Sequence, residues 1–235
     1  MKVRTHDTRS SSRRIGRGAR AVSFVIGLIS LGGCITGERP RLVTDDTIPS
    51  IDDAAISAVV DVLAAGFSSD SESTSFRVDY SVTTKFGGQS TTGSISVDRS
   101  LGTSVQVAEV RFVFASDGST ATCSTITGEC RPGIDETRVS DRMVNSRIFQ
   151  GAVIDRLEQD AVVAVGDSQS STRTIADRPA TCATVPVVDS TGITREKSYC
   201  AFDGLGVLAY LDTADLLIEA IAVNPSADPA AFATS

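Results

Sequence analysis

Hydrophobic positions along the chain change period several times, and each change marks an element. After an apolar run at residues 21–31 and a stretch without period at 35–49, the spacing turns helical. Ile56, Val59, Val60, Leu63 and Phe67 recur at i, i+3, i+4, i+7 and i+11, so one face of this helix packs on something. Ser50 stands where a cap belongs, and Asp52 and Asp53 fall in the first turn, where the helix dipole favours negative charge. A Ser-rich run at residues 68–75 ends the helix. Phe76, Val78, Tyr80 and Val82 then alternate with Arg77, Asp79, Ser81 and Thr83, the period of a half-buried strand. Gly87-Gly88 supplies a turn, and Gly93, Ile95 and Val97 continue the alternation on the return. Val105 and Val107 keep one parity while Val110, Phe112 and Phe114 keep the other, which predicts a bulge near Ala108 or Glu109.

A second helical period runs through residues 140–165. Met143, Val153, Ile154, Leu157 and Ala161 form its stripe, with Asp141, Arg142, Arg156 and Glu158 away from it. From Ser171 onward, runs rich in Val, Thr, Ala and Tyr return, broken by Pro179, Ser190-Thr191-Gly192 and the hairpin signal Asp203-Gly204. Residues 216–223 suit helix or strand by composition; the short turn at 212–215 before them favours a strand. The pattern predicts an α+β domain over residues 50–235, in which two amphipathic helices interrupt a series of antiparallel strands.

The N-terminal segment has a different character. Lys2 and six arginines face one acid, Asp7, over residues 1–20; the apolar run follows, and Leu31-Gly32-Gly33-Cys34 closes it. This order is that of a secretory signal, with an apolar core too short to span a bilayer. Leu31-Gly32-Gly33-Cys34 resembles the lipobox of bacterial lipoproteins. That resemblance implies a signal peptide over 1–33, a lipid with palmitate-type acyl chains on Cys34, and a tether over 34–49. The membrane is then a partner through the lipid on Cys34, and the domain lies on the extracytoplasmic face of the cell membrane. Ser12-Arg13-Arg14 also looks like the start of a twin-arginine motif, although Gly16 and Arg17 depart from it, and the export route stays open.

Removing the leader changes the charge. Residues 1–33 hold seven of the 22 basic and one of the 29 acidic residues, so residues 34–235 carry a net charge of −13 rather than −7. An acidic surface repels phosphate backbones and anionic headgroups, so no nucleic-acid partner is expected. His6, the only histidine, lies in the leader, which excludes Ser-His-Asp and Cys-His catalysis from the mature chain. Cys123, Cys130, Cys182 and Cys200 allow three pairings. The midpoint of 182 and 200 is Thr191, inside one turn, and that of 123 and 130 falls between Ile126 and Thr127, beside another. Facing positions across a hairpin suit a disulfide, which predicts Cys123–Cys130 and Cys182–Cys200 as staples. Their spacings match neither a redox CxxC nor a zinc finger. Asp45-Asp46, Asp52-Asp53 and the helix acids Asp155, Glu158 and Asp160 read as solvated charge, and Lys85, Lys197 and Tyr199 have nothing near them in sequence to activate them. Neither enzyme chemistry nor a cofactor or metal is expected.

The alternation at residues 76–82 after the first helix, the strand region at 176–187, and Phe202-Asp203-Gly204-Leu205-Gly206-Val207-Leu208 before a last hairpin give the chain an architecture that resembles the LolA-like lipid and lipoprotein carriers. It is most similar to the LppX/LprG-type lipoproteins among them. The resemblance implies a curved antiparallel half-barrel with both helices on its concave face and a cavity for a lipid or other apolar ligand. Ile56, Val59, Leu63, Phe67, Val78, Tyr80, Phe112, Phe114, Met143, Ile154 and Leu157 would line it; plain core packing is the alternative for each. The expected function is a non-catalytic binding lipoprotein. The alternative is a structural or protein-interaction lipoprotein with a filled core and an unknown protein partner.

Overall fold

The computed structural model describes residues 53–66 and 75–234. Helix α1 (Ala54–Ala65) precedes β1 (Ser75–Thr84), β2 (Gln89–Asp98), β3 (Gly102–Val107), β4 (Val110–Ala115), β5 (Thr120–Ser124) and β6 (Cys130–Pro132). Helix α2 (Gly151–Val162) follows, then β7 (Gln169–Ile175), β8 (Arg178–Val188), β9 (Thr194–Phe202), β10 (Leu208–Asp212) and β11 (Leu216–Asn224). The strands form one sheet in the order β6-β5-β4-β3-β2-β1-β11-β10-β9-β8-β7, and every neighbouring pair is antiparallel. Followed along the chain, this is a meander whose first and last strands pair and whose one break falls between β6 and β7. The segment bridging that break carries α2.

Local sequence explains most of the ladder. β1 buries every second residue, with Phe76, Val78, Tyr80 and Val82 on its covered face. Gly87 and Gly88 turn the chain into β2 with φ of 88° and 63°, a region most side chains avoid. The expected bulge at Ala108 and Glu109 is instead a two-residue hairpin turn, with Val107 opposite Val110 and Ala108 at φ 51°. Facing residues share a side of the sheet, so a two-residue turn makes an odd and an even position equivalent. That reproduces the parity change without a bulge. True register shifts occur at Asp79/Tyr80 against β11 and at Leu208/Tyr210 against β9.

Both helices depart from the expected bounds. The cap of α1 is Asp53, whose Oδ1 accepts from the N–H groups of Ala55 at 2.9 Å and Ile56 at 3.3 Å. Asp53 is extended, so it stands outside the helix and its carboxylate takes the role expected of Ser50. Ser50 and Phe67 lie outside the described residues. α1 ends where Gly66 crosses Gly206 so closely that a Cβ on Gly206 would come within 2.1 Å of Gly66 Cα. α1 packs on β7, β8 and β9 and against α2.

The helix expected over residues 140–165 is broken. A 3-10 turn at Ser140–Arg142 stops at Met143, which has φ 57° and is 44% exposed, so Met143 leaves the apolar stripe. Glu136 Oε1 holds Ser146 through its backbone N–H at 3.2 Å and its hydroxyl at 2.5 Å, and Asn145 Oδ1 accepts from Arg147 N at 3.0 Å. These side-chain bonds compete with the helical ladder and redirect the chain. The redirected segment drops Phe149 onto Tyr80, ring centroids 4.1 Å apart and nearly parallel, before α2 begins. Gly93 on β2 leaves the space: a Cβ there would lie 2.7 Å from Phe149 Cζ.

The C-terminal segment packs elsewhere on the sheet. A 3-10 turn at Pro229–Phe232 lies against β3 and β4, and Arg111 donates to the carbonyls of Ala230 at 3.1 Å and Ala233 at 2.6 Å. Ser94, Ser96 and Ser104 are buried, which fits small residues under a closely laid strap.

Candidate functional site

The carboxylates that could have carried chemistry separate into two groups. Asp155 and Glu158 are exposed, as solvated charge should be. Asp160 is not: it is buried against β9, with Oδ1 2.6 Å from Lys197 Nζ and Oδ2 accepting from the Tyr199 hydroxyl. One turn earlier Arg156 pairs with Asp215, whose other oxygen accepts from the Thr213 hydroxyl at 2.6 Å. Residues i and i+4 share a helix face, so Arg156 and Asp160 clamp α2 to the sheet at two points. Burial, and then the Asp160 carboxylate, push the Tyr199 phenol well above its ordinary range. Both oxygens of Asp160 are engaged, and the group holds α2 in place. The reading of Asp160 as surface charge is corrected. Its signal in the sequence was its place four residues after Arg156 on the face that also carries Val153 and Leu157.

The four cysteines are joined as Cys123–Cys130 and Cys182–Cys200, each pair facing across adjacent strands with Cα atoms 4.0 Å apart. Asp189 builds the turn behind the second pair, its Oδ1 accepting from Thr191 N at 2.9 Å, Thr191 Oγ1 at 2.5 Å and Ile193 N at 3.1 Å. Those bonds, that of the Thr191 hydroxyl foremost, hold its carboxyl far below the usual range. Two disulfides belong to an oxidising, extracytoplasmic compartment. Cys34 lies outside the described residues. Among the described residues no group of three or more His, Cys, Asp or Glu side chains is placed to hold a metal ion.

The side chains expected to line an acyl cavity come together, but as packed core. Ile56, Val59, Leu63, Val78, Tyr80, Phe112 and Leu157 are buried to 2% exposure or less, and Ile154 and Phe114 pack beside them half-buried. A side chain with no surface open to a water-sized sphere borders no void that a water, still less an acyl chain, could enter. Tyr80 also satisfies its hydroxyl internally, donating to Leu208 O at 2.7 Å. Burial raises its pKa well above the ordinary value. Among the described residues, open pockets of 320 to 530 Å³ lie at the β5–β6 region, at the start of α1, and around Lys85, Arg195 and Asp212.

A different apolar feature was not anticipated. The antiparallel register places the β1–β2 turn, the β8–β9 turn, the β10–β11 turn and the C-terminus of α2 at one end of the sheet. Lys85 N bonds Asp215 O at 2.8 Å, and Val165 N bonds Pro186 O at 2.9 Å, tying these turns together. Phe86, Val162, Val163, Val165, Val188 and Ile193 project from this end, with exposures of 43 to 70%. Three ion pairs lie among them, Lys85 with Asp212, Arg195 with Asp189 at 3.1 Å, and Lys197 with Asp160, and the exposed Glu196 stands between Arg195 and Lys197 on β9. The end therefore carries apolar tips above a base of mostly ion-paired side chains. The sequence showed Val162, Val163 and Val165 only as the continuation of a helix.

No family model and no curated protein matches the sequence. Among solved structures the chain is similar to the crystal structure of MucB, at 17% identity and a TM-score of 0.41, over 76% of this chain and 61% of that one. It is similar to MucB in complex with MucA(peri), at 15% identity and 0.39, over 77% of this chain and 60% of that one. The MucA/MucB complex of Pseudomonas aeruginosa gives 14% identity and 0.41, over 77% of this chain and 62% of that one. The chain spans about three fifths of the length of these structures.

Proposed function

We propose that the protein is a non-catalytic binding module of the cell envelope, held to the membrane by a lipid on Cys34, which engages a protein partner through the apolar end of its sheet. One contrast carries this reading. The side chains suited to holding an acyl chain are closed against each other, whereas six apolar side chains at the sheet end stay in water. Clustered apolar exposure on a folded domain marks a surface that another molecule covers. On this reading the sheet is a LolA-like half-barrel whose concave face is filled by the two helices, and binding has moved from the interior to the rim.

The test is site-specific photo-crosslinking in intact cells of the native host, with the crosslinking residue at Phe86, Val163 or Ile193 and, as control, at Leu101 on the opposite end. A discrete protein adduct at the first three positions and none at Leu101 is expected. Native mass spectrometry of the purified protein supplies the opposing outcome: stoichiometric acyl species, released on unfolding, would make it a lipid carrier. Labelling of Cys34 by an alkynyl fatty acid, lost in Cys34→Ser, tests the anchor separately.

A further inference from the structure

The two edges of the sheet are unlike. β6 is three residues long, contains Pro132 and is bonded through Cys130 to its neighbour, the kind of blunted edge that resists pairing with another chain. β7 is seven residues of regular strand, Gln-Ser-Ser-Thr-Arg-Thr-Ile, with no proline and no bulge, and its first six residues are exposed.

The disulfide at the next ladder shows which β7 backbone groups are free. Cys182 and Cys200 face each other with Cα atoms 4.0 Å apart. That is the close spacing of a pair that exchanges no backbone hydrogen bonds, about 4.5 Å against about 5.5 Å for a bonded pair. The N–H and C=O of Cys182 therefore point toward β7, as does the carbonyl of Pro186, which accepts from Val165 on that side. Ser171, opposite Cys182, uses its backbone groups on β8, and by alternation so do Gln169, Arg173 and Ile175. Ser170, Thr172 and Thr174 direct theirs outward, and among the described residues nothing bonds them there.

We infer that β7 is a docking edge that takes an extended segment of a partner protein as a twelfth strand, hydrogen-bonded at Ser170, Thr172 and Thr174. This rests on the reading of the protein as a protein-binding module and names how the partner is held. Only another extended backbone matches a row of alternating donors and acceptors. The Arg173 side chain does not occupy this edge: its guanidinium carbon lies 5.7 Å from the Tyr210 ring centroid on β10, reached across β8 and β9. β7 itself carries only uncharged side chains beside that arginine, so the segment is recognised through its backbone rather than its charge. Beyond Gln169 the same edge continues as the bridge of Ala164 with Val187, flanked by the exposed Val162, Val163 and Val165. Apolar residues at that end of the segment complete the contact. A second copy of this chain fits less well. A two-fold centred on Thr172 pairs β7 with its own copy and leaves the valines of both copies uncovered.

The test uses the mature chain carrying Cys34→Ser, immobilised and panned with a library of random 12-residue peptides. The selected peptides should be rich in β-branched residues, with apolar residues toward one end. Thr172→Pro removes only an outward N–H, so the fold is kept, yet peptide affinity should fall at least tenfold, while Thr172→Ala changes it less than twofold. Amide exchange at Ser170, Thr172 and Thr174 should slow on binding, a readout on the unmutated chain that holds even if Thr172→Pro fails to fold. Peptides that bind Thr172→Pro undiminished, or a selection without binders, would overturn the docking edge. If such peptides are instead lost in Val163→Asp, the protein-binding reading survives without the edge. A dimer in sedimentation that Thr172→Pro disperses would make β7 a self-interface and overturn the choice of partner.

Discussion

Gly93 and Phe149 make a coupled pair whose energetics can be worked out before measurement. A methyl group on Gly93 would stand 2.7 Å from Phe149 Cζ and 3.3 Å from Gln106 O and Val82 Cγ2. The second and third distances are tight, but the first forces the ring off Tyr80. Overpacking of this kind costs about 1–3 kcal/mol, so Gly93→Ala should destabilise by that amount. Phe149→Ala empties a fully buried site and removes the ring stacked on Tyr80, a loss of about 3–5 kcal/mol. In the Phe149→Ala background the obstacle is gone. A strand glycine is about 0.5–1 kcal/mol worse than alanine, so the same Gly93→Ala change should become stabilising. The coupling between the two sites is then about 1.5–4 kcal/mol with a reversal of sign. Urea unfolding of the wild type, both single variants and the double variant at 25 °C measures it directly. If the two effects add within about 0.5 kcal/mol, Phe149 is not what requires glycine at 93.

Other consequences follow from the described contacts. Removing the Cys182–Cys200 bond by double alanine substitution should cost about 3 kcal/mol, and removing Cys123–Cys130 about 2.5 kcal/mol because its loop is shorter; melting of each variant ranks them. Gly206 has φ 65° and meets Gly66 backbone to backbone, so Gly206→Ala should lose at least about 2 kcal/mol through backbone strain and contact together, read by the urea midpoint. Burial works against ionised Asp215, but the Thr213 hydroxyl and Arg156 outweigh it and hold its pKa below the ordinary carboxylate value. A carboxylate lowered in this way stabilises the fold above about pH 4 and loses that contribution as pH falls through the folded pKa. Asp215→Asn should therefore be less stable at neutral pH and less sensitive to acid below about pH 4, a comparison made by thermal melts across pH.

Features set by residues close in sequence were legible in advance: the alternation of Phe76, Val78, Tyr80 and Val82, the Gly87-Gly88 turn, the strand at 216–223, and the pairing of four cysteines from the positions of two turns. What failed depended on partners remote in sequence or on side-chain competition for the backbone. Met143 fits a helical stripe by spacing, yet Glu136 and Asn145 bond the following segment and end the helix there. Asp160 has the look of surface charge until Lys197 and Tyr199, on a strand far along the chain, fold against it. Apolar stripes gave the right core residues and left open whether they enclose a void, because periodicity says which face is covered and nothing about how closely. The apolar end and the open edge escaped because both arise from the register of strands, which no local pattern specifies.

The pairing of β1 with β11 has a bearing on the order in which the protein folds. The two strands at the middle of the sheet are the first and last made, and their facing residues, from Arg77 with Asn224 to Thr84 with Leu216, are more than a hundred positions apart. Strand pairs this distant bear a large loop-closure entropy before any contact rewards it, which makes folding slow. A nascent chain therefore cannot close its core until residue 224 has been synthesised, and the two crosslinks form only where oxidation is possible. Until then the sheet can exist only as separate meanders, with neither half of the core covered by the other.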